Sequence, residues 1–476
     1  MEKEPFENSG SASLDEKEIK VNPHKKGLLL VIIAVVIILI AVGILLYFLL
    51  SSDSKPSEQP EPKDNLTNSV KAVYYINNPT NLTKIFHYSY INLIDKLKVD
   101  KEFVEINNTL MFDDEGYHTI EIFFTTFLTS LDNLFYKVNT LIDVDLTNVV
   151  SKNIKSASDI FNGCVNLTRV NFSNYYNNLN NISNMFTGCY ELKSINLNAF
   201  KTDKLKDIYG LFLGCGQLST INMKDFNTKN VVNMSNAFSG CSSLQELDLK
   251  NFITDNVEDM SNMFYECSSL KSLSLNNFNT KNVKHMSGMF DGCNSLKTLS
   301  LENFDTQNVE DMYFMFADCT ALTSLNIKSF KTNKVRDMFG MFKNCEDLEE
   351  IDISHFNTNN VLDMGDMFGN CTKLKKVNLA NLNSENLVYM TGMFEKCSSL
   401  TSLDLSSFDT KNVVDARFML NDCKELKYLD VSKFNTSKLK YYDSIFNGLP
   451  EHGKIKYNPE IFNESIYELL PNWESI

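Results

Sequence analysis

From residue 127 to residue 449 the chain repeats one order of apolar and polar positions, clearest in Asn256–Thr280, NVEDMSNMFYECSSLKSLSLNNFNT. The first half of this unit spaces Val257, Met260, Met263, Phe264 and Cys267 by three and four, which predicts one buried face of a helix. Asn256 stands where a helix cap belongs, and Asp259 supplies an acid for the first turn. The second half, L-x-x-L-x-L-x-x-F, sets Leu270, Leu273, Leu275 and Phe278 against Ser272 and Ser274, which predicts a short half-buried strand. A helix and a strand in every unit predict an α/β solenoid, with parallel strands on one flank and helices on the opposite one.

The cysteines mark the register. Cys164, Cys189, Cys215, Cys241, Cys267, Cys293, Cys319, Cys345, Cys371, Cys397 and Cys423 follow one another by one step of 25 residues and then by steps of 26. The frame extends to Val138 and Leu449, so other hydrophobic residues fill the same slot. That makes the slot a buried packing position rather than a seat of thiol chemistry. The count is odd and no C-x-x-C pair exists, although stacked neighbours about 5 Å apart leave a few disulfides open. The residue missing from the short step belongs to the loop around Tyr175–Asn178, where a deletion costs little. Each coil buries about eight apolar side chains, a gross gain on the order of 10–20 kcal/mol. Ordering its backbone costs more, at about 1–2 kcal/mol per residue, so only a stack is stable.

The flanking segments lack the repeat. Residues 1–26 are polar and read as a cytoplasmic tail; Gly27–Leu50 is apolar and uncharged, long enough to cross a bilayer. Lys17, Lys20, Lys25 and Lys26 precede that span, against Lys55 and Lys63 after it, which predicts an uncleaved signal anchor with the N-terminus in the cytoplasm. Residues 51–65 read as a Ser- and Pro-rich stalk. Residues 66–126 are expected to form a small β-rich cap, with strands at Lys71–Ile76 and Tyr117–Phe124, a weaker one at Lys96–Val104, and a turn at Asp113–Gly116. A separate binding domain is the alternative. Residues 450–476 read as a C-terminal cap, with a strand at Gly453–Asn458 and a helix starting at Pro459, packed through Ile461, Ile466 and Leu469.

L-x-x-L-x-L-x-x-F joined to N-V-x-x-M-x-x-M-F-x-x-C resembles the BspA-like leucine-rich-repeat proteins of bacteria and parasitic protists, in their 26-residue form. The resemblance covers residues 127–449. It implies a surface-exposed protein that adheres to host proteins or other cells. Where ordinary leucine-rich repeats carry Asn, this chain has Phe278, Phe304 and Phe330, so the resemblance implies neither an asparagine ladder nor the usual curvature.

The charge of −15 in 476 residues, with no basic stripe, excludes nucleic acid as a partner. The histidines His24, His87, His118, His285, His355 and His452 are scattered, and H-E-x-x-H, G-x-S-x-G and phosphate loops are missing, so an enzyme is not expected. No cofactor is expected. What remains is the exposed row of the strands. The residue between the second and third apolar positions is Asp145, Asn171, Asn196, Asn222, Asp248, Ser274, Ser300, Asn326, Asp352, Asn378, Asp404 and Asp430. Twelve strands make a face on the order of 55–60 Å long. The residues from Asp248 to Asp430, together with Tyr428, are the candidate binding face for an extracellular protein or glycan. Tyr428 and Arg169 are nearly its only aromatic or Arg anchors. A solvated face of stacked like side chains is the plainer reading. Asp404 and Asp430 stack, but two carboxylates fall short of the six to eight oxygens calcium takes. Ten N-x-S/T acceptors are candidate glycosylation sites: Asn65, Asn81, Asn107, Asn166, Asn171, Asn181, Asn233, Asn370, Asn435 and Asn463. The function expected is adhesion at the cell surface; the alternative is a self-associating structural coat.

Overall fold

Alternation in SVKAVYYI makes a strand with one buried face, and that strand begins the described part of the chain. The computed structural model describes residues 68–150, 154–172, 176, 178–198 and 200–476. The tail, the apolar span Gly27–Leu50, the stalk, Asn65 and most of the loop around Tyr175–Asn178 lie outside the described residues. Among the described residues no helix is long and apolar enough to cross a membrane.

The N-terminal module contains β1 (Ser69–Ile76), β2 (Thr83–Lys84), β3 (Ile94–Val99), β4 (Glu102–Val104), β5 (Thr109–Leu110) and β6 (Gly116–Phe124). The segment expected as one strand at Lys96–Val104 is a hairpin. Asp100 and Lys101 both adopt positive φ, 46° and 81°, the conformation a tight two-residue hairpin turn demands. β1 pairs antiparallel with β7 (Leu141–Leu146), the strand of the first coil, and β7 pairs parallel with β8 (Arg169–Phe172). One sheet in the order β4-β3-β6-β1-β7-β8 therefore runs from the module into the solenoid.

Later coils contribute β9 (Ser194–Asn196), β10 (Thr220–Asn222), β11 (Thr298–Ser300), β12 (Ser324–Asn326), β13 (Glu350–Asp352), β14 (Lys376–Asn378), β15 (Ser402–Asp404) and β16 (Tyr428–Val431). Their pairs are parallel and in register at steps of 26, as in Asp352 with Asn378. Residues 246–248 and 272–274 keep the burial alternation without forming strand. The stack closes on β17 (Gly453–Tyr457) and β18 (Trp473–Ser475), both parallel to β16. The expected helix at Pro459 starts later, as α1 (Glu464–Tyr467), because Asn463 caps it by accepting the Ser465 N–H. Of the residues expected to pack it, Ile466 is buried, Ile461 is half-buried and Leu469 is exposed, and Phe462 and Leu470 are buried beside Ile466.

The helices expected in every coil do not form. Val257, Met260, Met263, Phe264 and Cys267 are fully buried, but consecutive turns carry them. Asn262 and Glu266 take left-handed φ of 54° and 52°, which no α-helix admits. The N–H groups of Met263, Tyr265 and Cys267 bond to carbonyls three residues back. Those of Met260, Asn262, Phe264 and Glu266 point across to His285, Ser287, Met289 and Asp291 carbonyls of the next coil, at 2.7–3.0 Å. Half the donors thus bind a neighbouring coil, as in a sheet. A line of parallel bridges from Ser130 to Tyr441 runs along this turn flank.

Four ladders tie coil to coil inside this frame. The rings of Phe135, Phe161, Phe186 and their equivalents to Phe394 stack at centroid spacings of 5.4–5.9 Å. Each cysteine thiol donates to the carbonyl of the phenylalanine in the preceding coil, from Cys164 to Phe135 at 3.0 Å through Cys423 to Phe394 at 3.1 Å. Buried Thr228, Thr254, Thr280, Thr306 and their equivalents donate to carbonyls of the following coil, and Thr306 also accepts the Lys331 N–H at 2.7 Å. An asparagine ladder exists too, at a position the L-x-x-L-x-L pattern does not mark. Asn256 does not cap a helix; its amide donates to the Lys229 carbonyl, and Asn282 and Asn308 repeat the contact.

All eleven cysteines are free and buried, so the disulfide alternative is not realised. Burial pushes the Cys164, Cys267, Cys371 and Cys423 thiols up to about 12 and the others further. At pH 8 a thiol alkylator is expected to modify the folded chain at least about 10³-fold more slowly than the unfolded chain, by thiolate fraction alone. Mass spectrometry should find no adduct in buffer and eleven in denaturant. Rapid labelling of the native chain would contradict the packing role.

Candidate binding face

The face is built by strands whose even positions point into the core and whose odd positions meet solvent. Leu299, Ile351 and Leu403 are buried, while the neighbouring Ser300, Asp352 and Asp404 are exposed. Asp248 and Ser274 are exposed as well; Asn326, Asn378 and Tyr428 are half-buried. Asp430 is buried, where the row was expected to be open. It stacks in register with Asp404, but its carboxylate accepts from Lys456 Nζ at 2.9 Å and from the Ser432 N–H at 3.0 Å. Burial alone would raise its pKa; the Ser432 and Lys456 hydrogen bonds outweigh that and hold it below the usual carboxylate range.

A local reason explains why this row favours Asp and Asn. Asp145, Asn196, Asp248, Asn326, Asp352, Asn378, Asp404 and Asp430 each accept the backbone N–H two residues on. These are Asx turns at the strand exits. The same turn recurs twice more per coil, for example at Asp259 to Ser261 and at Asn279 to Lys281. The composition of the row therefore serves the backbone first, and one oxygen of each side chain is already spent. The hydroxyl of Ser354 is the first cause that lowers the Asp352 carboxyl, and for Asp248 it is the Lys250 ammonium.

The face dips between β12 and β14. A shallow depression of about 480 Å³ is lined by Ser324, Asn326, Glu350, Asp352, His355 and Lys376 among others. His355 Nε2 lies 3.0 Å from the Ile327 carbonyl oxygen of the preceding coil, which fixes the ring. Polar groups of both signs converge here without a nucleophile–base pair. Among the described residues no cluster of three or more His, Cys, Asp or Glu side chains fits a metal ion. At the N-terminal end the row runs on through Asn171, Asp145, Lys71, Glu121 and Lys98 to Phe103, because the module's sheet continues the solenoid's. Tyr75 and Tyr117 pair on the same sheet, their ring centroids 5.0 Å apart. Sequence reasoning missed these aromatics because they lie outside the repeat.

The sequons divide by environment. Asn81, Asn107, Asn166 and Asn463 are exposed; Asn171, Asn181, Asn233, Asn370 and Asn435 are half-buried. Asn181, Asn233 and Asn435 accept from the N–H of the serine two residues on. An Asx turn with serine at its third place reads as N-x-S, so turn chemistry generates the motif in the coils.

One acidic cluster carries a pH dependence. Burial first, then Asp318 and Glu266 on the adjacent coils, pushes the Asp291 carboxyl up to about 7. A folded value above the unfolded one means that ionisation costs stability as pH rises from about 4 to about 7. His285, raised by its hydrogen bond to Asp311, acts in the same direction, since its stabilisation is lost as pH rises through its folded value. Asp291→Asn is expected to be more stable than the parent at pH 8 by about 1–2 kcal/mol, allowing for solvent screening, and equal to it at pH 4. Urea unfolding at both pH values checks this; no gain at pH 8 would refute it.

A protein family described as Mycoplasma protein of unknown function, DUF285, matches residues 129–246, 180–274, 270–376 and 347–456, most of the chain. No curated protein shows significant similarity. Solved structures with similar segments include the TLR13–ssRNA13 complex (17% identity, 64% of this chain and 49% of that one, TM-score 0.21). A leucine-rich-repeat protein of T. pallidum matches at 17% identity, over 54% of this chain and 78% of that one, TM-score 0.20. The Toll–Spatzle complex of Drosophila matches at 15% identity, over 66% and 40%, TM-score 0.21. The chain spans about half the length of the first of these. At such TM-scores the chains do not superpose as wholes. The repeat register and the family match agree on the same stretch, and the chain belongs to the family described as Mycoplasma protein of unknown function, DUF285.

Proposed function

We propose that this chain is a non-catalytic, single-pass cell-surface protein of the BspA-like 26-residue form, whose solenoid binds extracellular protein or glycan and serves adhesion. Gly27–Leu50 is the anchor in this reading, with residues 1–26 inside the cell. The observation that carries it is the in-register polar face, which continues from the strands into the Tyr75–Tyr117 sheet and presents solvent-facing side chains coil after coil. A C-terminal tag on intact cells should be open to added protease. Purified chain should bind extracellular-matrix proteins or a glycan array more strongly than a variant with the exposed strand positions changed to lysine. Purely internal localisation, or equal binding by the two, would refute it.

One observation favours the coat reading. β4 is the open edge of its sheet, and Glu102, Phe103 and Val104 on it are exposed. Sedimentation that stays monomeric at high concentration would remove that alternative.

A further inference from the structure

We propose that the turn flank of the coils between Glu310 and Asp443, opposite in the repeat to the strand face, binds an extended Arg- or Lys-rich segment of a partner protein. The aromatics scarce on the strand face collect here. Tyr313, Tyr389, Phe418 and Tyr441 expose 42%, 48%, 39% and 51% of their surface. Tyr389 and Tyr441 stand in the column of consecutive parallel bridges formed by residues 311, 337, 363, 389, 415 and 441, and Tyr313 and Phe418 lie two and three residues beyond that column on their own coils. Half-buried rings support part of the row. Tyr313 meets Phe314 edge-on at 6.2 Å, and Phe314 meets Phe339 edge-on at 5.2 Å. A Cβ added at Gly340 would fall 2.5 Å from the Phe314 ring and one at Gly365 3.0 Å from the Phe339 ring, so these two rings lie over glycines of the next coil. Arg417 covers Tyr441 at 5.4 Å, already one cation on one ring of the row.

The charge of the flank selects the occupant. Asp311 is held by His285, and Asp415 by Arg417, each at 2.6 Å. Among the described residues Asp337 and Asp363 have no cationic partner; each accepts only a backbone N–H of its own turn, from Phe339 and Gly365. They sit on adjacent coils in register, about 5 Å apart. Burial first, and then Asp337, Asp366 and Asp415, lifts the Asp363 carboxyl above its ordinary value, a strain that an incoming cation relieves. Exposed aromatic faces beside unpaired carboxylates suit a guanidinium or ammonium group. Repetition at coil spacing suits side chains along an extended backbone. A second copy of the chain is disfavoured by its net charge of −15.

The experiment uses the full chain and fluorescent (Arg-Ser)6, with (Glu-Ser)6 as the opposite-charge probe, read by anisotropy at several salt concentrations. The Arg peptide is expected to bind and the Glu peptide not. Tyr389→Ala, and Tyr313→Ser in the manner of the serines at 235, 261 and 287, should each weaken binding about tenfold. Asp337→Asn with Asp363→Asn should weaken it about tenfold and flatten the salt dependence. Glu105→Gln with Glu191→Gln removes the same charge from exposed sites elsewhere and should stay within about twofold. Circular dichroism establishes that each variant is folded. Equal weakening by the distant pair would show diffuse attraction only, and unchanged binding by both aromatic variants would overturn the site. A peptide-independent dimer abolished by the same variants would mean that a second copy is the occupant and would also overturn it.

Discussion

Truncating Phe316 to alanine is expected to destabilise the solenoid by about 3–5 kcal/mol, the cost of deleting a buried aromatic ring. Phe316 is fully buried and lies between Phe290 and Phe342, stacked at 5.6 Å on each side and within 4° of parallel. Its carbonyl also receives the Cys345 thiol at 3.2 Å. The ring is one member of a column, so its loss opens a gap that neighbours can fill only by breaking register with the coils above and below. Contacts here run between nearest coils, so the damage weakens the two interfaces of its own coil rather than the whole stack. Urea unfolding should accordingly shift to lower concentration and split into two steps, one for each side of the gap. Phe316→Leu should cost about 1–2 kcal/mol, because leucine already fills the equivalent slot at the buried Leu420. A Phe316→Ala variant that unfolds at the parental midpoint would mean that the stacked rings are not what couples the coils.

The repeat, its register and its buried positions were legible because burial depends on spacing alone. Val257, Met260, Met263, Phe264 and Cys267 are core whether the backbone between them is helix or turn. The backbone itself was misread for the same reason: spacings of three and four serve a chain of turns as well as a helix. The discriminating signal was in the polar positions. The columns that include Asn262, Gly288 and Gly340, and Gly240, Gly292 and Asn344, are mostly Gly, Asn or Asp, poor helix formers that accept positive φ. Asn256 was misassigned likewise, since its partner is the carbonyl of another coil and not its own turn. On the candidate face the Asp and Asn row was found but its cause was not, because an Asx turn needs the next two residues read with it. The aromatic row of the turn flank stayed hidden for a different reason. Its members are split over three offsets, Tyr313 sharing one with Phe339, Phe418 another with Phe314 and Tyr389 a third with Tyr441, so no single column of the repeat displays the row.

Removing residues 308–333 should leave a folded, cooperative solenoid one coil shorter, whereas removing thirteen residues from the same place should leave none. The first deletion preserves every column. Phe290 would meet Phe342 as it now meets Phe316, and the Cys345 thiol would find the Phe290 carbonyl. Thr306, which bonds Lys331, would bond Asn357 as Thr332 now does. The Asn282 and Asn308 ladder would lose one rung and close on Lys334, which already follows Asn308 in that column. Only one interface disappears, with its share of buried surface. The second deletion sets a strand against a row of turns. Polar Asx positions would then face the column of methionine and phenylalanine, and left-handed residues would fall where extended backbone is required, each a cost of about 1 kcal/mol or more. That cost recurs at every misaligned position of the junction and exceeds what one interface supplies. Circular dichroism, gel filtration and urea unfolding of the unit Thr67–Ile476 distinguish the two outcomes. Two folded variants would show that register does not govern the stack, and two unfolded ones that the coils are not interchangeable.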